Sequence, residues 1–310
     1  MRTSLLCFAL AVLSSFALSA SLSGQTVAPA AQADPSKPAG PPAVNGKAAD
    51  PYAGESVVLV RVADVFAMNA DGTGYHEHTV VARIQSDAAV RQLGVIAVPF
   101  ASASEKVEFV YARVRRADGT VAETPGADAL EQPEAVTQQA PFYSDLKQKQ
   151  LPIKSLRVGD TLEWKAKITT FKAEAPGQFW GAESVIEDGV VLDQSYELRV
   201  PKGMAVTVWT NPKLGVKPVE SALAGSPEQK VYVWKYASLK PTTGKEADAE
   251  KEAKKKRLLT EDEELDNREG KLPSLGWTTF KSWEEVGGWY RKLEGDRMVP
   301  DDEVKAKVGS

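Results

Sequence analysis

The chain has 310 residues, 43% hydrophobic and 26% charged, the proportions of an ordinary globular protein rather than a fibrous or wholly disordered one. Its formal net charge of -4 and pI near 5.5 give no electrostatic footing for nucleic acid, which calls for clustered Lys and Arg. One cysteine and two histidines exclude most thiol- and imidazole-based chemistries.

In chain order, Arg2, the apolar run Leu5 to Leu18, and the small residues Ala17, Ser19, Ala20, Ser21 and Ser23 predict a signal peptide over 1–23. The apolar run is shorter than the roughly 20 residues of a membrane-crossing helix, so no transmembrane span is expected after cleavage. Cleavage would remove Cys7, and with it any disulfide, thiolate nucleophile or cysteine-ligated metal. The expected location is outside the cytoplasm, in a periplasm or the extracellular space. Residues 24–54, with Pro29, Pro35, Pro38, Pro41, Pro42 and Pro51, predict a disordered Ala/Pro-rich linker.

From 55 to 240 the pattern is strand after strand. Candidate strands are Ser56 to Met68, Tyr75 to Gln85, Lys106 to Arg116, Thr161 to Phe171, Gln178 to Ile186, Val190 to Val200, Met204 to Thr210 and Val231 to Ala237. Thr161 to Phe171 is the sharpest: Leu162, Trp164, Ala166 and Ile168 alternate with Glu163, Lys165 and Lys167. That period of two marks a strand with one buried face. Short strands separated by Gly, Pro and Asp turns, without intervening amphipathic helices, predict a mainly β protein, an antiparallel β-sandwich. Residues 241–272 read as a charged linker or surface helix, with a basic docking site at Lys254 to Arg257 as the other reading. Residues 273–310 predict a short Trp-containing helical segment, with helices over Ser282 to Leu293 and from Pro300. The last residues read as the opening of a further helix, leading toward a downstream domain that this chain lacks.

Two constellations stand out as site candidates. His76 and His78 flank Glu77 on one strand, so both imidazoles project from the same face. They can begin a metal site only if carboxylates complete it, and an exposed or hydrogen-bonded pair is the plainer reading; no metal or other cofactor is assigned. Tyr232, Trp234 and Tyr236 share a strand face and form either a sugar-stacking strip or an aromatic layer buried against a second sheet. No Gly-x-Ser-x-Gly elbow, phosphate loop or dinucleotide fingerprint is present.

The order of the segments Phe142 to Ile168, Leu198 to Val208, Val231 to Ala237 and Phe280 to Leu293 resembles the domain-of-unknown-function family 3857. The sharpest matching pieces are Leu156-Arg157-Val158-Gly159-Asp160 before a Glu-Trp strand, Val200-Pro201-Lys202-Gly203, and Ser282-Trp283-Glu284-Glu285-Val286. The resemblance covers Val57 to Leu293 and implies an extracytoplasmic β-sandwich module of bacterial proteins. In that family the module stands before a transglutaminase-like domain with a Cys-His-Asp triad. No position here matches a triad residue, so the resemblance implies a non-catalytic module. Such a module positions or presents substrate for a transglutaminase-like, cysteine-protease-type domain in cis or in trans. The alternative is a stand-alone cell-envelope binding protein that recognises a polypeptide or a glycan.

Overall fold

In a computed structural model of the chain, the described residues are 50–139, 144–243, 273–295 and 307. The expected signal peptide, most of the Ala/Pro-rich linker, most of the charged linker and the helix expected from Pro300 lie outside them, residue 307 apart.

The first half of the chain supplies β1 (Val57–Met68), β2 (Gly74–Ile84), α1 (Asp87–Leu93), β3 (Val95–Ala101), β4 (Glu105–Arg115), β5 (Val121–Glu123) and β6 (Leu130–Pro133). After α2 (Ala135–Gln139) come β7 (Leu146–Pro152), β8 (Thr161–Thr170), β9 (Trp180–Glu183) and β10 (Gly189–Pro201). The series ends with β11 (Thr207–Thr210), β12 (Val219–Leu223), β13 (Ser226–Lys240), β14 (Leu275–Thr278) and α3 (Trp283–Glu294). The protein is mainly β, as its strand patterning predicts.

Eight strands form one large sheet in the order β12-β13-β10-β1-β2-β8-β4-β5. Its ladders are antiparallel except for β1 with β10, which run parallel. Two three-stranded sheets, β3-β7-β6 and β11-β14-β9, complete the architecture. Cross-strand partners share a face, so register assigns one continuous apolar surface. Leu162, Trp164 and Ala166 of β8 pair with Ala82, Val80 and His78 of β2, which pair in turn with Leu59, Val62 and Asp64 of β1. The opposite face carries ion pairs such as Lys165–Glu77 at 2.9 Å and Arg113–Glu163 at 2.6 Å.

The apolar surface is covered in two parts. Ile96, Val98, Phe100 and Leu151, from β3 and β7, join Ala89 of α1 over the β2–β8–β4 half. Phe179, Val185, Leu275 and Trp277 cover the β1–β10–β13 half, meeting Phe66, Tyr196, Leu198, Tyr232 and Trp234. The large sheet is therefore one layer of the sandwich, and the two small sheets together are the other.

Three sequence boundaries shift. Sheet structure does not end at 240, because Leu275–Thr278 is the central strand of the β11-β14-β9 sheet and brings Trp277 into the core. In the segment from 273 a strand thus precedes the expected helix. The linker expected to run to 54 is tied down from Asp50: its carboxylate meets Arg83 at 2.6 Å, and Gln85 Nε2 donates to the Tyr52 carbonyl at 2.7 Å. At the other end, Thr242 and Thr243 donate through backbone N–H and hydroxyl groups to the buried Glu55 carboxylate, at 2.6 to 3.1 Å. Glu55 thus buckles the start of the domain to its last long strand.

Candidate functional site

The histidine pair sits on the covered face, at the seam between the two cores. Asp64 on β1 lies opposite His78 of β2, and Phe66 lies opposite His76. The Asp64 carboxylate is buried, and its Oδ1 accepts from His76 Nε2 at 2.7 Å and from His78 Nδ1 at 2.6 Å. Each ring is also held by an aromatic neighbour from one core. His76 stacks on Phe66 with centroids 4.0 Å apart, and His78 tilts against Trp164 at 5.0 Å.

Electrostatics bind this group tightly. Burial alone would push the Asp64 carboxyl up, but the charge of His78 and the hydrogen bonds from both imidazoles outweigh it and hold the carboxyl far below its usual range. Burial likewise works against protonation of His78, yet the Asp64 charge and hydrogen bond prevail and raise its pKa. Glu183 on β9 is pushed well up, by burial first and then by the Asp64 charge. Tyr196 is raised by the same causes; its hydroxyl donates to the Ser184 carbonyl at 2.8 Å and accepts from Gln194 Nε2 at 2.9 Å. The sequence placed the two histidines on one face correctly. It did not reveal Asp64 as the group that joins them, because the contact crosses a ladder.

The aromatic strip resolves differently. Tyr232 and Trp234 are buried under the β11-β14-β9 sheet, with Trp234 Nε1 donating to Thr210 Oγ1 at 2.8 Å. Trp234 and Trp277 lie 6.4 Å apart, and Tyr236 packs against the same cluster. The strip is core, so a sugar ring has no access to Tyr232 or Trp234 and the glycan reading loses its basis. Alternation on β13 was legible; the sheet that covers it was not.

A second surface emerges at α3. Ser282 caps the helix, its Oγ accepting from Glu285 N at 3.4 Å, and Glu284 and Glu285 occupy the favourable first turn. Apolar side chains at 283, 286, 289, 290 and 293 recur at helical spacing and form one stripe. One edge of that stripe docks: Trp289 meets Trp180 of β9 at 5.4 Å and Phe280 at 5.9 Å. The other edge stays in solvent, with Trp283 83% exposed, Leu293 50% and Tyr290 41%. Trp180 itself remains 41% exposed beside it.

The three sequence pieces behind the family resemblance take structural roles. In the loop before β8, Gly159 adopts a left-handed φ of 92°. That turn lets the Asp160 carboxylate accept from the Arg157 backbone N–H at 2.8 Å and pair with Arg116. Val200-Pro201-Lys202-Gly203 turns at the end of β10, and the third piece is the cap of α3. The sequence profile of the family described as a domain of unknown function with solved structure, DUF3857, matches residues 70–243, more than half of the chain. The chain belongs to the DUF3857 family. The matched segment stops before β14 and α3, although β14 completes the sheet of the DUF3857 fold seen here.

Comparison with curated proteins gives no match. Among solved structures, the chain is similar to a "putative protease" from Parabacteroides distasonis, at 18% identity and a TM-score of 0.58. The alignment covers 74% of this chain and 42% of that one, so the DUF3857 protein spans less than half the length of its structural relative. An M1 zinc metallopeptidase mutant from Deinococcus radiodurans bound to a Tyr-Ser-Ala substrate aligns at 9% identity and a TM-score of 0.34, over 59% of this chain and 42% of that one. The first likeness shows the shared fold; the second carries no argument. No described helix is long and apolar enough to cross a membrane.

Proposed function

We propose that this DUF3857 protein is a non-catalytic, extracytoplasmic module that docks a transglutaminase-like catalytic domain on the exposed stripe of α3 and positions substrate for it. The observation that carries the reading is Trp283, an 83% exposed indole on a helix whose opposite edge is anchored to the sandwich. Isolated exposed apolar residues are ordinary, whereas contiguous aromatic surface marks an interaction site. Trp283, Tyr290 and Leu293, beyond the segment that matches the family, provide such a surface together with Trp180 inside it.

The choice of occupant rests on three supports. The family resemblance implies that such a module is followed by a transglutaminase-like domain. The shared fold makes up 42% of a longer chain described as a putative protease. The chain's one thiol, Cys7, lies in the expected signal peptide, so a cysteine nucleophile has to come from elsewhere. The apolar run Leu5 to Leu18 supports export. The domain is supplied by a longer polypeptide or by a separate chain.

Binding of the purified protein to a transglutaminase-like domain from the same source, with and without the double substitution Trp283→Asp and Leu293→Asp, tests the proposal. The expected result is affinity lowered at least ~10-fold with an unchanged melting temperature. Equal affinity of the two proteins, no binding by the unmodified one, or hydrolytic or transamidating activity in the purified chain alone would overturn it.

A further inference from the structure

We infer that Asp64, His76 and His78 form a binding site for a first-row divalent metal ion, with zinc the best-fitting member of the class. One donor atom from each residue lies within 4.8 Å of the other two. Two imidazole nitrogens and a carboxylate oxygen make the donor set of three-ligand zinc sites and of two-histidine, one-carboxylate sites.

The site is preorganised by the sheet rather than by a loop. His76 and His78 stand two residues apart on β2, and Asp64 faces them from the neighbouring strand in the β1–β2 register. The Phe66 and Trp164 rings fix the orientation of the imidazoles, in the way supporting groups around a metal hold its ligands. Metal entry needs an opening, and the side chains of His76 and His78 are 28% and 16% exposed while Asp64 lies beneath at 6%.

Among the described residues no lysine or arginine pairs with Asp64, which leaves its carboxylate to the two imidazoles and to a cation. For neutral imidazoles the proton balance is simple. His76 Nε2 and His78 Nδ1 give up the protons they direct at Asp64 and present lone pairs, and each ring carries its proton on the opposite nitrogen.

The test uses full-length protein without a histidine tag, stripped with EDTA and titrated with Co2+ by visible absorbance and with Zn2+ by thermal melting. The expected results are one equivalent of Co2+ with the d–d bands of a low-coordinate site, and a melting temperature about 5 °C higher at a hundredfold excess of Zn2+ over its Kd. His76→Gln, at the most exposed ligand, is expected to weaken binding at least ~100-fold, since even a supporting residue is worth 10–100-fold. A wild-type protein that takes up no stoichiometric Co2+ or Zn2+, or a folded His76→Gln variant that binds as tightly, would overturn the inference. The wild-type titration decides the matter even if the variant does not fold.

Discussion

Gly181 lies directly across the β9–β14 ladder from Trp277, so close that a β-carbon at 181 would stand 2.5 Å from the indole. The absence of a side chain is what lets the ring lie flat over β9 and reach Phe66, 4.7 Å away. Gly181→Ala is expected to destabilise the fold by about 1–3 kcal/mol through overpacking. Urea denaturation measures this as a lowered midpoint; an unchanged midpoint would show that the indole yields freely.

The two exposed-versus-buried tryptophans separate core from docking surface. Trp234 is 2% exposed and hydrogen-bonded to Thr210, so Trp234→Ala should cost about 3–5 kcal/mol. Trp283 is 83% exposed, and Trp283→Ala should stay within about 0.5 kcal/mol. Thermal melts of both variants check the contrast, and a comparable loss in the two would place Trp283 in the fold rather than on a free face.

Glu55 makes the acid limb of stability predictable in sign. Burial alone would raise its pKa, but the side-chain and backbone hydrogen bonds from Thr242 and Thr243 outweigh burial and hold it below the ordinary 4.5. Its folded-state pKa is therefore depressed, and the stability it contributes is present above 4.5 and is lost as pH falls through the lower folded value. Glu55→Gln should lower stability at neutral pH and flatten its decline over this acid window. Urea midpoints at stepped pH values for the two proteins test this; parallel curves would contradict it.

Asp160 cannot be removed without leaving a mostly buried charge unpaired. Its buried carboxylate pairs with Arg116 and accepts from the Arg157 backbone. Asp160→Ala leaves the Arg116 guanidinium, 18% exposed, without its counterion, and should cost about 3 kcal/mol. A melting temperature close to wild type would show that solvent reaches Arg116 well enough to replace the carboxylate.

Legibility in the sequence followed the range of the interaction. β8 was readable because Leu162, Trp164, Ala166 and Ile168 alternate with charges, and the structure buries the first set. α3 was readable for the same local reason, the helical pattern over Ser282 to Leu293, which the structure places at Trp283–Glu294. β14 was missed because four residues, Leu275–Thr278, become a strand only between β11 and β9. β7 was missed because Leu146–Pro152 is polar and buries only Leu151. At the candidate sites the same divide holds. An aspartate within the apolar run of β1 was the available sign of Asp64, but pairing it with two histidines required the register. Alternation on β13 placed Tyr232, Trp234 and Tyr236 together, and only the covering sheet determines that they are core.

The central claim is that the exposed edge of α3 receives a transglutaminase-like domain. A photo-crosslinking amino acid placed at 283 in the native cells tests it most directly, with the same residue at Val219, a 67% exposed position on β12, as control. The account predicts a crosslink from 283 to peptides of a transglutaminase-like domain, and none from 219. No crosslink from 283 to such a domain, or equal crosslinking from both positions, would contradict it.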